Sequence, residues 1–84
     1  MQHYIIMCRS LTYAQRASRA LERAGIFAST AKAPQELTKE GCNYGVKVRA
    51  RDLDRSMDMI KNIGLPTGRI IGLDEYGRAL VVSE

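Results

Sequence analysis

The hydrophobic pattern opens with a short continuous run. His3 to Cys8 is apolar on both sides of an extended chain, with Tyr4 and Ile6 on one face and Ile5 and Met7 on the other. That predicts a central strand covered on both faces. The period then lengthens. Ala14, Ala17, Leu21 and Ala24 form one apolar stripe, while Gln15, Arg16, Arg19, Glu22 and Arg23 point elsewhere, as on an amphipathic helix. Ser10 or Thr12 is its expected cap, and Thr12-Tyr-Ala-Gln15 matches a capping box. Gly25 is its expected end, because it adopts positive φ without a Cβ clash.

Ile26 to Ala33 reads as a second strand, weakened by Ala and Ser. Pro34 to Asn43 is a loop with room for a single helical turn. From Tyr44 to Arg49 the residues alternate, Val46 and Val48 inward, Lys47 and Arg49 outward. Asp52 is expected to cap a second helix running to about Ile63. Leu53, Met57 and Ile60 form its buried stripe, with Met59 and Ile63 beside it. Asp52 and Asp54 at its start and Lys61 near its end suit the helix dipole. Gly64 ends it. Arg69 to Leu73 and Ala79 to Val82 are further strands, joined by the turn Asp74-Glu-Tyr-Gly77.

This order predicts an α+β, ferredoxin-like βαββαβ fold with an antiparallel sheet. We expect a single domain over residues 1–84, with 78–84 forming an extra C-terminal strand. The two halves echo each other, Ala24-Gly25-Ile26 matching Ile63-Gly64-Leu65. The expected strand order 4-1-3-2 has a geometric consequence. The loop between strands two and three lies at the end where strand one finishes, beside Cys8, Arg9 and the start of the first helix, and beside the Gly64-to-Gly68 turn.

Composition narrows the class. With 84 residues and 45 % hydrophobic content, the chain supports one modest core. No apolar run approaches the roughly 20 residues of a membrane span, and the N-terminus lacks a secretory pattern. The net charge of +4 is dispersed over 13 basic and 9 acidic residues, which favours anionic partners only mildly. Two cysteines are too few for a disulfide scaffold, so a reducing cytoplasm is expected. Neither a metal-ligand spacing nor a phosphate-loop or dinucleotide fingerprint is present, and no cofactor is expected.

Cys42 is the residue that suggests chemistry. It sits in the turn-rich stretch Pro34 to Gly45, flanked by Gly41 and Asn43. The predicted topology brings it near Arg9 and the first-turn amides from Ser10 through Thr12 to Tyr13. A free thiol has a pKa of about 8.5, and a helix N-terminus or a nearby Arg lowers it. Lys39 and Lys47 would add positive field. Gly41 and Gly45 would let the backbone bend close to the thiol. Cys8 would reach the same end of the sheet, either as a small core residue or as a redox partner of Cys42.

Pro34-Gln-Glu-Leu, Gly41-Cys42-Asn-Tyr-Gly45 and the strand Val46-Lys-Val48 resemble a small bacterial family labelled selenium/sulfur carrier-like. The resemblance extends from Tyr4 to Gly72, through the Ala-rich first helix and the Gly64-Leu65 end of the second. Gln35 stands where the family tends to have Arg, and Asn43 where Gly is common. The resemblance implies a carrier rather than a stand-alone enzyme. Its Cys42 would accept sulfur or selenium as a persulfide-type adduct and exchange it with donor and acceptor proteins.

Two other readings compete. One is a non-catalytic interaction module, forming a homodimer or larger oligomer through an apolar sheet face on the first and fourth strands (Ile70, Ile71, Leu73) or through the last strand. The other is a single-stranded RNA-binding module that stacks bases on Tyr4 and Tyr44. The third strand is otherwise Val46, Lys47 and Val48, so nucleic acid is the weaker expectation.

Overall fold

The computed structural model describes residues 1–38 and 43–83. Its elements are β1 (His3–Met7), α1 (Leu11–Arg23), β2 (Ala28–Lys32), β3 (Tyr44–Arg49), α2 (Leu53–Asn62), β4 (Ile70–Leu73) and β5 (Ala79–Ser83). Short 3-10 turns at Gln35–Leu37 and Ala50–Asp52 precede β3 and α2 respectively. The strands form one five-stranded sheet in the order β2-β3-β1-β4-β5. Every neighbouring pair is antiparallel. This is the ferredoxin-like α+β arrangement with a strand added beside β4.

Both helices cover one face. Ile6 and Cys8 of the β1 segment pack with Val46, Val48, Ala14, Ala17, Leu21 and Ile60 in a single buried cluster. Each large aliphatic side chain so buried contributes roughly 1.5–3 kcal/mol. The stripe of α1 is Ala14, Ala17, Ser18 and Leu21, with Ala24 only half-buried. Small residues on that stripe let the helix approach the sheet closely.

The repeated Gly signal has a specific meaning. After α1, Ile26 N–H donates to Leu21 O at 2.9 Å and Gly25 N–H to Glu22 O at 3.0 Å. After α2, Leu65 N–H donates to Ile60 O at 3.2 Å and Gly64 N–H to Lys61 O at 3.0 Å. These are paired Schellman ends, and they require the positive φ of 82° at Gly25 and 79° at Gly64.

The structure departs from the sequence pattern in α2. Asp52 does not cap it with its side chain. Its Oδ2 instead accepts from Arg49 Nε at 3.3 Å, because the intervening 3-10 turn carries the carboxylate back towards β3. Ser56 and Ile60 are the buried residues of the helix. Leu53 and Met57 are half-buried, and Ile63 is exposed.

The opposite sheet face is not the open apolar surface that strands one and four suggested. Ile5, Met7 and Ile71 are 2 %, 5 % and 0 % exposed there. With Ala33 they form a second buried cluster, flanked by Leu37, Leu73, Ala79 and Val81. The cause lies in the segment after β2, which turns back so that Leu37 meets this face. Arg69 Nη1 donates to Leu37 O at 2.9 Å and pins it. From the other side β5 shields Ile71, with which Val81 pairs directly.

Candidate functional site

Of the residues singled out from the sequence, Cys8, Arg9, Ser10, Thr12 and Gly45 lie around the end of β1. Cys8 N–H donates to Tyr44 O at 3.1 Å, and Gly68 N–H donates to Met7 O at 2.8 Å. The start of β3 and the turn before β4 therefore flank this end of the sheet, as the strand order required. Arg9 follows and is exposed. Ser10, not Thr12, is the cap of α1. Ser10 has extended φ/ψ, and its Oγ accepts from Tyr13 N–H at 3.1 Å. The amide of Tyr13, expected to be open, is thus occupied. Thr12 is an exposed residue within the first turn. No acidic residue occupies that turn, so no carboxylate there offsets the partial positive charge of the helix end.

Cys42 and Gly41 lie outside the described residues, as does Lys39. The chain on either side is held firmly. Thr38 closes the preceding 3-10 turn, its N–H and Oγ1 both donating to Gln35 O, at 3.1 and 2.9 Å. Asn43 is held against Ala33 from both directions. Ala33 N–H donates to Asn43 O at 2.8 Å, and Asn43 Nδ2 donates to Ala33 O at 3.4 Å. The amide side chain thus has a structural use that glycine would lack.

Gly45 has a different role from the bending assigned to it. It is buried within β3, opposite Met7. A Cβ there would lie 2.5 Å from Ile6 O and 2.7 Å from Ile5 Cγ2. The glycine permits close approach of β3 to β1.

Cys8 is 6 % exposed. It belongs to the helix-side cluster, and its Sγ–H is directed at Ile6 O, 3.6 Å away. Tyr4 and Tyr44 also pack against that cluster, with Lys32 Nζ 5.8 Å from the Tyr44 ring centre. They are therefore not a stacking platform on the open sheet face. Arg69 was not singled out in the sequence, because a basic residue at a strand entrance looks like ordinary surface. Its bond to Leu37 O makes it the anchor of the segment leading towards residue 42.

A family model matches residues 3–71, from the start of β1 into β4. The chain belongs to the family described as "Putative Se/S carrier protein-like". The match takes in Cys42 and both helices of this carrier-like fold and leaves β5 outside. Its limits lie within a residue of the Tyr4-to-Gly72 resemblance at each end. Comparison with curated proteins and with solved structures gave no match. Among the described residues, no three His, Cys, Asp or Glu side chains group as a metal site would need, and no helix is long and apolar enough to cross a membrane.

Proposed function

We infer that the protein is a sulfur or selenium carrier whose acceptor is the Cys42 thiolate. The single observation carrying this reading is the family match over residues 3–71, which includes the Gly41-Cys42 motif. In the proposed step the Cys42 thiolate attacks the outer chalcogen of a donor protein's persulfide or its selenium analogue. A new S–S or S–Se bond forms on Cys42, the donor's own bond breaks, and the donor leaves as a thiolate. Electrons balance without an added oxidant. An acceptor thiolate reverses the step.

Several features support an activated thiol at this end of the fold. The α1 N-terminus has no acid in its first turn. Arg9 is exposed beside it, and Arg69 holds the approach segment. Positive poles of this kind favour a thiolate at neutral pH. The burial of Cys8 favours a packing role over a redox partnership.

The test is intact-mass measurement after incubation with a low-molecular-weight persulfide and removal of the excess. One added sulfur is expected on the wild type and on Cys8→Ala, and none on Cys42→Ala. Alkylation of Cys42 should have its midpoint below about 8.5. An adduct that survives Cys42→Ala, or that requires Cys8, overturns the assignment.

A specific observation also favours self-association. β5 is an edge strand, and its Leu80 and Val82 are 48 % and 44 % exposed. Apolar edges of this type pair with other strands. We assign the second copy of the chain as their partner.

A further inference from the structure

A groove on the sheet face opposite the helices, at the end of β1 away from Asn43, combines an exposed ring with cationic groups. It is lined by His3, Phe27, Ser29, Lys47 and Arg49, and its volume is about 280 Å³. The strand register builds it. His3 pairs with Arg49 and Ile5 with Lys47, while Ser29 pairs with Lys47 and Ala28 with Val48. Phe27 therefore continues β2 opposite Arg49. Phe27, Arg49 and His3 form one cross-strand row, and Ser29 and Lys47 belong to the next.

Two features separate this groove from ordinary surface. Phe27 is 75 % exposed, although an apolar side chain of its size normally buries most of its area. Arg49 is held in place, with its guanidinium carbon 5.5 Å from the Phe27 ring centre and its Nε donating to Asp52 Oδ2 at 3.3 Å. Its Nη groups have no protein partner among the described residues. Lys47 stands one row along and Ser29 beside it. Asp52 offsets part of the Arg49 charge, but it is buried and engaged through Nε. A second depression, also walled by His3 and Arg49, carries Arg51. The acids Asp74 and Glu75 line a neighbouring depression that shares His3 and Lys47 with the groove, and Asp74 is already bonded to Arg78 there.

The volume lies near the lower limit of small-ligand sites, roughly 300 Å³. Arg recognises planar oxyanions through its fork, and Lys adds a point charge. An exposed ring stacks on flat π systems. We propose that this groove binds a small phosphorylated aromatic molecule of the nucleoside monophosphate class. Its ring lies against Phe27, and its phosphate is held by Arg49, Lys47 and Ser29. The site stands independently of the Cys42 reading, since it uses none of the residues around residue 42.

Adenosine 5′-monophosphate is the probe, titrated into the full chain and followed through backbone amide shifts. Shifts confined to Phe27–Ser29, Lys47–Arg49 and His3 are expected, weakening as salt rises. Phe27→Ala should weaken binding by about tenfold or more, with thermal stability unchanged because the ring is exposed. Lys47→Gln should weaken it less. Arg49→Lys keeps the charge but loses the fork, and should weaken it more than Lys47→Gln. Adenosine and inorganic phosphate, tested separately, should each bind more weakly than the monophosphate. The proposal is overturned if the monophosphate leaves these amides unmoved at millimolar concentration. Equal binding of inorganic phosphate, or undiminished binding by Phe27→Ala, overturns it too. Binding of single-stranded oligonucleotide without the monomer would replace it with a polymer site.

Discussion

Single side chains here carry more than their residue type suggests. Ser56 is fully buried, and its Oγ has no hydrogen-bond partner among the described residues. An unsatisfied buried hydroxyl costs about 1–3 kcal/mol. Ser56→Ala removes that cost while leaving the small volume that the site accommodates. We expect it to raise stability by about 1 kcal/mol, which for a domain of this size is a rise in melting temperature of about 4–8 °C. Thermal unfolding checks this, and a fall in melting temperature would mean that the hydroxyl does find a partner. Ser56 stands three residues after Leu53 and four before Ile60, on the apolar stripe, but its polarity favours Met57 in a reading from sequence alone. Cys8 was legible for the opposite reason: a thiol ending an apolar strand has little else to do but pack. The single helical turn expected between Pro34 and Asn43 is the 3-10 turn at Gln35–Leu37, while the grip of Asn43 on Ala33 depended on which strand lay alongside.

Among the secondary elements, the β4–β5 turn is held by one carboxylate. Asp74 accepts from Arg78 N–H and Tyr76 N–H, each at 2.9 Å, and from Arg78 Nε at 2.9 Å. The Arg78 backbone N–H is the largest cause that holds its pKa below the ordinary 3.8, with the Tyr76 N–H and the Arg78 guanidinium adding to it. A depressed carboxylate pKa stabilises the turn above the ordinary value. That contribution is lost as pH falls through the lowered value. The amide shifts of Tyr76 and Arg78 should therefore titrate together with a midpoint below 3.8, and Asp74→Asn should abolish the transition. A midpoint above 3.8 would contradict the bonding described. The turn itself was readable from Asp74 and Gly77. So were the two Schellman ends, whose Gly–apolar signature is local. The start of α2 was not, because a 3-10 turn and a capped helix share the same Asp.

At the level of the whole chain, the radius of gyration is 11.3 Å, against about 12 Å expected for a compact domain of this length. The fold therefore closes on itself, with cores on both faces of its sheet. The self-association proposed for the β5 edge would add to a finished molecule. Replacing Leu80 and Val82 together by Lys should change the stability of the fold by no more than about 1 kcal/mol, at about 0.5 kcal/mol for each surface change. It should also abolish the proposed self-association, leaving a monomer in sedimentation velocity at micromolar concentration. A wild type that sediments as a monomer throughout would remove the second copy as the partner of β5.

Local chemistry in the amino-acid order determined the elements and their ends: the periods of two and of three to four, the Gly stops and the Asp74 turn, with the α1 cap narrowed to Ser10 or Thr12. Because the element order left few antiparallel pairings, it also brought the end of β1 together with the start of β3. Contacts between residues far apart decided the rest. The reach of Arg69 to Leu37, the burial of Ile5 and Met7 beneath a returning segment, and the steric need for Gly45 all depend on which backbone passes opposite. The row of Phe27, Arg49 and His3 is of the same kind. Its members are scattered along the chain, and only strand register sets them side by side.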